Sequence, residues 1–268
     1  MRIARDPGQS DSCSLRLVVT TSLSHENSLE ATARRVSKRL SIPYVRRKNR
    51  SLSDVIGSAS GAVVVESGRI SLHIGESAFW FHPNMAKIRI MQLTRGQRDR
   101  MVEVMGLSPG DTVLDCTCGL ASDAIVASFA VGESGFVHAL EISSLLSEIV
   151  SIGLSTHEDP LSELVDAMRR VQVFNADYSD FLRKTPDRQY DVVYFDPMFE
   201  KTVETSTGLD IVRIFASPAA PADSDIEEAV RVAKRRVVMK DSSFGSRLQE
   251  LGFKVLRGKR ISYGVIDV

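Results

Sequence analysis

The chain has few cysteines and few aromatic residues, and it contains no long apolar segment. Its 268 residues include three cysteines, and aromatic side chains make up 6% of them. Three cysteines cannot form the disulfide framework that stabilises many small secreted domains. A membrane-spanning helix needs about 18 or more consecutive apolar residues, and the first residues do not lead into an apolar signal segment. We therefore expect a soluble, cytoplasmic protein.

Two classes of ligand are disfavoured because their motifs are missing. No second Cys/His pair at zinc spacing accompanies Cys116 and Cys118, so we expect no metal and interpret both as small residues packed in a tight turn. The segment after Asp115 lacks the G-x-G-x-x-G spacing of a dinucleotide site and the Lys-Ser/Thr ending of a phosphate loop. NAD and ATP are therefore disfavoured as cofactors.

The net charge of zero conceals an asymmetry along the chain. Residues 1–100 contain 17 Lys and Arg against 8 Asp and Glu, whereas the remainder contains 17 against 26. The cations concentrate in Arg34-Arg35-x-x-Lys38-Arg39 and Arg46-Arg47-Lys48-x-Arg50. Such clusters attract phosphate backbones, so we predict contact with nucleic acid, with Arg46 and Arg47 among the substrate-binding residues. The alternative is a solvated helix face followed by a charged loop.

The first third of the chain predicts a small α/β domain at residues 1–82. Hydrophobic periodicity indicates strands at 15–20, 61–66 and 70–74 and helices at 28–40 and 51–56. We interpret residues 83–110 as a connector that leads into a helix around 94–105.

Strands and helices alternate from residue 111 onward, which predicts a mostly parallel sheet covered on both faces. The predicted strands are 112–115, 136–140, 171–175, 191–195 and 236–240, with an antiparallel pair near 253–257 and 262–267. The predicted helices are 122–131, 143–155, 161–169, 209–216, 225–233 and 245–251. This pattern resembles the doubly wound, seven-stranded, Rossmann-like sheet of class I methyltransferases, and we assign it to residues 111–268.

Polar residues follow three successive predicted strands, where an open α/β sheet binds its ligands. The first strand leads into a cofactor loop that contains Asp115, Thr117 and Gly119, and Gly119 permits close approach of the backbone to a ligand. Glu141 follows the second strand and is placed to accept hydrogen bonds from the ribose hydroxyls of an adenosyl group. Asp177 follows the third strand and is placed to accept from the adenine amine. An acidic residue at such a position can instead cap the next helix.

The fourth strand ends in Asp196-Pro197-Met198-Phe199. An acidic residue, a proline and an aromatic residue at this position resemble the motif of methyltransferases that act on exocyclic amines of bases. An aromatic amine is a poor nucleophile, so we expect Asp196 and the Pro197 carbonyl to accept hydrogen bonds from its N–H groups. Phe199 can stack on an extruded base. Alternatively, Asp-Pro merely ends a strand and Phe199 belongs to the core.

Residues 110–268 resemble the small-subunit ribosomal RNA (guanine-2-amino) methyltransferase J family and its relatives. The matching features are Asp115-x-Thr117-x-Gly119-Leu120-x-x-Asp123-Ala124, Glu141, Tyr194-x-Asp196-Pro197-Met198-Phe199 and Arg236-Val237-Val238-Met239-Lys240. The chain has Ser122 where the family has Arg, and Glu200 where the family commonly has Pro.

The resemblance implies S-adenosyl-L-methionine (SAM) as the cofactor. It places the cofactor contacts at Ser122, Asp123, Glu141, Ile142, Asp177, Tyr178 and Asp196. We predict that Met198, Phe199 and Lys240 contact the substrate. The resemblance further implies methylation of a base amine in RNA, guanine in ribosomal RNA, with ribosomal RNA or the small ribosomal subunit as partner. A DNA-adenine methyltransferase, a small-molecule methyltransferase and a non-catalytic RNA-binding protein with the same fold stay open as alternatives.

Overall fold

The computed structural model describes residues 15–197, 220–242 and 246–268. The chain divides into two compact units, residues 1–66 with 72–77 and residues 67–71 with 78–268. The segment 83–110, predicted as a connector, thus falls within the second unit. The helix predicted at 209–216, together with Met198 and Phe199, lies outside the described residues. None of the helices in the described ranges is both long and apolar enough to cross a membrane.

The amino-terminal sheet has four strands, adjacent in chain order: β1 (Leu17–Thr21), β2 (Gly61–Glu66), β3 (Arg69–Ile74) and β4 (Ser77–Trp80). β1 and β2 are parallel, and the chain between them forms helices α1 (Glu26–Leu40) and α2 (Leu52–Ile56). Val18 and Val64 pack with Val55 of α2 in a small core. The predicted strands and helices of this region are confirmed. β4 lies within the predicted domain 1–82 but was not predicted as a strand.

The second sheet contains seven strands of the described residues in the order β10-β11-β9-β8-β5-β6-β7. They are β5 (Thr112–Asp115), β6 (Phe136–Glu141), β7 (Val171–Asn175), β8 (Tyr190–Phe195), β9 (Ala233–Ser242), β10 (Lys254–Leu256) and β11 (Ile261–Asp267). The first five strands pair in parallel, and β11 is antiparallel to both β9 and β10. The predicted doubly wound, seven-stranded fold is confirmed.

Eight further helices occur among the described residues. They are α3 (Asn84–Thr94), α4 (Arg100–Met105), α5 (Ser122–Val131), α6 (Ser144–Thr156), α7 (Ser162–Arg170), α8 (Tyr178–Lys184), α9 (Asp223–Val232) and α10 (Ser246–Glu250). In place of one helix around 94–105 the structure has two: α4 occupies the second half of that range, and α3 ends where the range begins. α3 starts directly after Pro83, a residue that suits a helix start. Gly96 adopts a left-handed φ of 76° after α3. Asp99 then caps α4 by accepting a hydrogen bond from the Val102 N–H at 3.2 Å.

The centre of the second sheet is a continuous apolar layer. Leu114, Val193 and Val237 on β5, β8 and β9 have no exposed surface, and they share one core with Ile226 and Ala229 of α9. Parallel strands buried on both faces need such apolar runs, which is why the sequence predicted these strands well. The strand order reverses between β5 and β8, so the loops that follow them diverge and leave a crevice at the carboxyl edge.

Candidate active site

A cavity of about 800 Å³ lies at this carboxyl edge, within the range of about 300–1,000 Å³ typical of small-molecule sites. The loops that follow β5, β6, β7 and β8 contribute to its walls, as do β9, β11 and the helices α3 and α4. Most of the predicted site residues line it, namely Thr117, Gly119, Ser122, Asp123, Glu141, Ile142, Asp177, Tyr178, Asp196, Pro197 and Lys240.

The loop between β5 and α5 has an unusual backbone conformation. Gly119 and Ala121 both have left-handed φ angles, of 50° and 59°. Glycine adopts this conformation readily, whereas for an alanine it costs about 1–2 kcal/mol. The Cys116 N–H donates to the Tyr194 carbonyl at 2.9 Å, and the Cys118 N–H donates to the Leu140 carbonyl at 2.8 Å. These bonds fix the loop to β8 and β6, which offsets the local strain.

The carboxylate of Glu141 joins this loop to the start of the next helix. Its Oε2 accepts a hydrogen bond from the Gly119 N–H at 3.0 Å, and its Oε1 accepts one from the Ser143 N–H at 2.9 Å. The residue is 7% exposed, and burial raises the pKa of its carboxyl although both backbone bonds oppose that shift. Glu141 is therefore held in one orientation at the cavity wall.

Asp177 caps helix α8 in addition to lining the cavity. Its Oδ1 accepts hydrogen bonds from the Ser179 and Asp180 N–H groups at 2.8 and 3.2 Å. The alternative that Asp177 caps the next helix is therefore confirmed. Contact with an adenine amine stays a prediction for Asp177.

Asp115 connects β5 to β8 through the neighbouring threonine. Its Oδ1 accepts a hydrogen bond from the Thr117 N–H at 3.0 Å, and the Thr117 hydroxyl accepts one from the Asp196 N–H at 2.6 Å. Burial raises the pKa of Asp115 to about 8, so this carboxyl is largely protonated at neutral pH. The arrangement makes Asp115 a structural support for the loop and for the backbone of Asp196.

Asp123, at the start of α5, lies at the centre of a buried ionic cluster. Its Oδ1 is bonded to the Arg89 guanidinium, and its Oδ2 accepts from the Tyr194 hydroxyl at 2.8 Å and from Lys240 Nζ at 3.3 Å. Burial raises the pKa of the Asp123 carboxyl, but Lys240 and Arg89 outweigh it and the net shift is downward. Asp123 is therefore an anion that three other side chains share.

Arg89 and Asp99 extend the cluster into the helical segment that was predicted to be a connector. Arg89 Nε and Nη2 donate to the two carboxylate oxygens of Asp99 at 2.7 and 2.9 Å. Both residues line the cavity. No motif marks them, and the one available hint was Pro83 ahead of an apolar pattern, which favours a helix start. Tyr263 of β11, whose pKa burial raises to about 12, is a further lining residue that was missed.

Asp196 and Lys240 form a close ion pair in the same cavity. Lys240 Nζ lies 2.6 Å from Asp196 Oδ2, and the two side chains are 17% and 27% exposed. Burial raises the pKa of Asp196 to about 6, and Lys240 opposes that shift. The structure thus brings together the two residues predicted to act on substrate, although it directs Lys240 toward carboxylates.

The two arginines predicted to bind substrate belong to the first compact unit. Arg46 is half exposed, with its Nε 3.2 Å from Glu26 Oε1. Arg47 is 8% exposed, and its guanidinium donates to the carbonyls of Thr21 and Arg50 at 3.3 and 3.0 Å. The Arg47 guanidinium is thus directed at backbone carbonyls, which disfavours contact with a phosphate, and substrate binding by Arg47 stays a prediction.

The two described cysteines are buried free thiols. Burial raises the pKa of both Cys116 and Cys118 well above its usual value, so both thiols stay protonated. In the parts of the chain that the structure describes, no three His, Cys, Asp or Glu residues are grouped so that they could hold a metal ion.

The family model described as "Putative SAM-dependent methyltransferase" matches residues 62–263 of the chain. The chain belongs to this family of SAM-dependent methyltransferases. The family match establishes SAM as the cofactor.

Similar proteins agree with this assignment. The uncharacterized protein YpiP of Bacillus subtilis is 42% identical over 254 residues, which cover 93% of this chain and 99% of that protein. Ribosomal RNA small subunit methyltransferase J of Aeromonas salmonicida is 30% identical over 162 residues, which cover 58% of this chain and 63% of that protein. A SAM-dependent methyltransferase from Neisseria gonorrhoeae superposes with a TM-score of 0.63 at 17% identity, covering 93% of this chain and 95% of that one. The last comparison shows the shared fold.

The cavity of this methyltransferase suits SAM chemically. Glu141 presents a fixed carboxylate that can accept hydrogen bonds from ribose hydroxyls. Ile142, which is 48% exposed, offers an apolar wall that an adenine ring would cover. Six acidic residues line the cavity against three basic ones, which favours a cationic sulfonium over an anionic cofactor. The acidic residues are Asp99, Asp123, Glu141, Asp177, Asp196 and Asp225, and the basic residues are Arg89, Arg100 and Lys240.

Replacing Arg89 by methionine should destabilise the methyltransferase fold strongly. The variant leaves Asp99 and Asp123 without their shared cation, and breaking a buried pair in this way costs about 3 kcal/mol or more. The free energy of unfolding measured in urea tests this. Arg98→Met is the matched control, because Arg98 pairs with Glu103 at 3.1 Å with an 87% exposed side chain, and exposed pairs contribute little. Equal losses in the two variants would contradict a stabilising role for the Arg89 cluster.

Proposed function

We propose that this SAM-dependent methyltransferase methylates the exocyclic amine of a base in RNA, guanine in ribosomal RNA. The observation that carries the proposal is the position of Asp196-Pro197 at the carboxyl end of β8, inside the cavity that contains the predicted cofactor residues. An acidic residue there can accept hydrogen bonds from an amine that reacts beside the cofactor. Guanine is the base implied by the resemblance of Asp196-Pro197-Met198-Phe199 to the methyltransferase J family.

Asp196 has the properties that this reaction requires. When bound, SAM supplies an electrophilic methyl group on a positively charged sulfur. The amine nitrogen gains a positive charge as it is methylated, and it must then release a proton. Asp196 is ionised over most of the neutral pH range, since its pKa is about 6, so it can accept a hydrogen bond first and the proton afterwards. The Pro197 carbonyl is the second proposed acceptor.

Cofactor binding is proposed for the residues around the β5–α5 and β6–α6 loops. Glu141 would hold the ribose, Ile142 and Tyr178 would contact the adenine, and Ser122 with Asp123 would lie beside the methionyl part. All of them line the cavity.

The first compact unit supports RNA as the substrate. Arg35, Lys38 and Lys48 are exposed, and Arg35 and Lys38 are three residues apart on α1 and therefore share one helix face. Arg34 and Arg46 are exposed too, but Glu30 and Glu26 pair with them. A surface with unbalanced cations attracts phosphates. The similarity to a protein named as a ribosomal RNA methyltransferase points to the same substrate class.

Identification of the methylated product tests the proposal directly. The protein is incubated with SAM labelled with tritium on the methyl group, together with ribosomal RNA or small subunits from a strain lacking the gene, and the labelled nucleoside is identified. We expect N2-methylguanosine, with far less label in the same time when Asp196→Asn protein is used. Label in DNA or in a small metabolite alone would favour one of the other methyltransferase classes. Cofactor binding without methylation of any RNA would favour a non-catalytic RNA-binding protein.

Substitutions of Asp196 and Glu141 should affect different parameters. Asp196→Asn should lower the rate of methyl transfer by about 10²–10⁴-fold, the typical contribution of a general base, with a small change in SAM affinity. Glu141→Gln should weaken SAM binding by about ten-fold or more, because charge-assisted hydrogen bonds contribute about 1.5–3 kcal/mol each. Calorimetric binding and single-turnover rates separate the two effects. A parallel loss of affinity and rate in Asp196→Asn would show that Asp196 binds the cofactor instead.

Neutralising Arg35, Lys38 and Lys48 to glutamine should flatten the salt dependence of RNA affinity. Three lost phosphate contacts would reduce the slope of log Kd against log salt concentration by about 2–3. The methylated base should not change, because phosphate contacts position a substrate without identifying its bases. A variant with Lys184, Lys254 and Lys259 neutralised serves as the control. Equal slopes for the two triple variants would contradict RNA binding by this face.

A further inference from the structure

The ammonium group of Lys240 already forms ion pairs with two carboxylates of the protein. Its nitrogen lies 2.6 Å from Asp196 Oδ2 and 3.3 Å from Asp123 Oδ2. An ammonium group has three donors, and two of them are directed at these carboxylates. A phosphate that bound the third donor would place another anion beside Asp196 and Asp123 in a poorly solvated site, where like charges repel strongly. Two carboxylates more than outweigh burial and raise the pKa of Lys240, so it stays charged.

Asp196 needs a cation because its other neighbours disfavour its charge. Burial raises the pKa of Asp196, and so does the carboxylate of Asp123 on α5. The Tyr194 hydroxyl, two residues earlier on β8, is committed to Asp123. Lys240 on β9 is the cation that lies in contact with Asp196 among the described residues.

Two further ionisable groups near the cluster, Arg89 and Tyr263, do not contact Asp196 directly. Arg89 on α3 pairs with Asp123, which limits how strongly Asp123 can attract Lys240. Tyr263 on β11 stays protonated, since its pKa is about 12. Burial is the largest influence that raises the pKa of Asp196, and Lys240 is the largest that opposes it.

We propose that Lys240 is a positioning residue, which keeps the Asp196 carboxylate ionised and oriented toward the substrate amine and does not bind RNA phosphates. This inference rests on the proposed methylation of an amine. After transfer, an N–H bond of the methylated nitrogen breaks, its electron pair returns to nitrogen, and the proton passes to Asp196. Lys240 keeps its own proton throughout, so the pair changes from an ion pair to a lysine beside a neutral acid.

Titration of Asp196 in the free protein tests the inference without any substrate. The side-chain carboxyl carbons of aspartate are labelled with carbon-13, and Asp196→Asn identifies the resonance by its loss. In Lys240→Met the proton affinity of Asp196 should rise by about ten-fold or more, which corresponds to one pKa unit. In Lys240→Arg, which retains the cation, it should stay close to that of the wild type. Lys240→Gln replaces the methionine variant if that protein does not fold. An unchanged titration in a folded neutral variant would overturn the inference.

The pH dependence of methyl transfer and the affinity for RNA supply the second measurement. Lys240→Met should lose about two-fold in rate at pH 7 and about ten-fold near pH 5, because a ten-fold higher proton affinity of Asp196 moves the acidic limb to higher pH. RNA affinity and salt slope should be unchanged. Lys234→Met is the matched control on the same strand, because Lys234 pairs with Asp191 at 3.5 Å and is 41% exposed.

Weakened RNA binding with a flatter salt slope and an unmoved acidic limb would assign Lys240 to phosphate binding instead. If the wild type methylates no base amine although the Asp196 titration shifts, the proposed substrate fails while the effect of the pair on Asp196 stands.

Discussion

The carboxylate of Asp123 is the contact on which the geometry of the cavity depends. It accepts hydrogen bonds from Arg89 on α3, Tyr194 on β8 and Lys240 on β9, so one anion fixes three elements relative to the start of α5. A buried carboxylate is tolerated only with such partners. Because Asp123 directly follows the loop that contains Gly119, the same contacts set where that loop ends and therefore the shape of the wall it forms.

The sheet topology explains why the residues at strand ends could be predicted from the sequence. Parallel strands buried on both faces appear as apolar runs, and the polar residue that follows each run must lie at the carboxyl edge. Asp115, Glu141 and Asp196 are such residues, and all three lie in or beside one cavity. The predicted bounds of β5 agree with the structure for the same reason, because polar residues limit its apolar run. The predicted bounds of β7 and α5 agree as well, although β7 is a largely exposed edge strand and α5 is buried on most sides.

Contacts between distant residues leave no comparable pattern in the sequence. Arg89 and Asp99 pair across the break between α3 and α4, and no spacing rule distinguishes that pair from ordinary surface charges. Arg47 lies within a basic run that indicates exposure, but it is buried against backbone carbonyls. Lys240 ends the predicted strand 236–240, which indicates a position in the site, but the sequence could not show that its ammonium group faces two carboxylates. Position in the fold was predictable for Lys240, whereas the partners of Arg89, Arg47 and Lys240 were not.

Three buried carboxyls of the site differ in pKa, and the difference follows the number of cations that each one contacts. Asp115 is bonded to the Thr117 N–H and has a pKa of about 8, so it is largely neutral. Asp196 contacts one cation, Lys240, and its pKa is about 6. Asp123 contacts both Lys240 and Arg89, and its pKa falls below its usual value. Burial acts on all three, so the cations decide the order, and different pKa values in one site assign different roles. The pKa of Asp115 is too high for it to serve as an anion at neutral pH, and that of Asp123 is too low for it to retain a proton. Of these three carboxyls, Asp196 is therefore the one able to accept a proton near neutral pH.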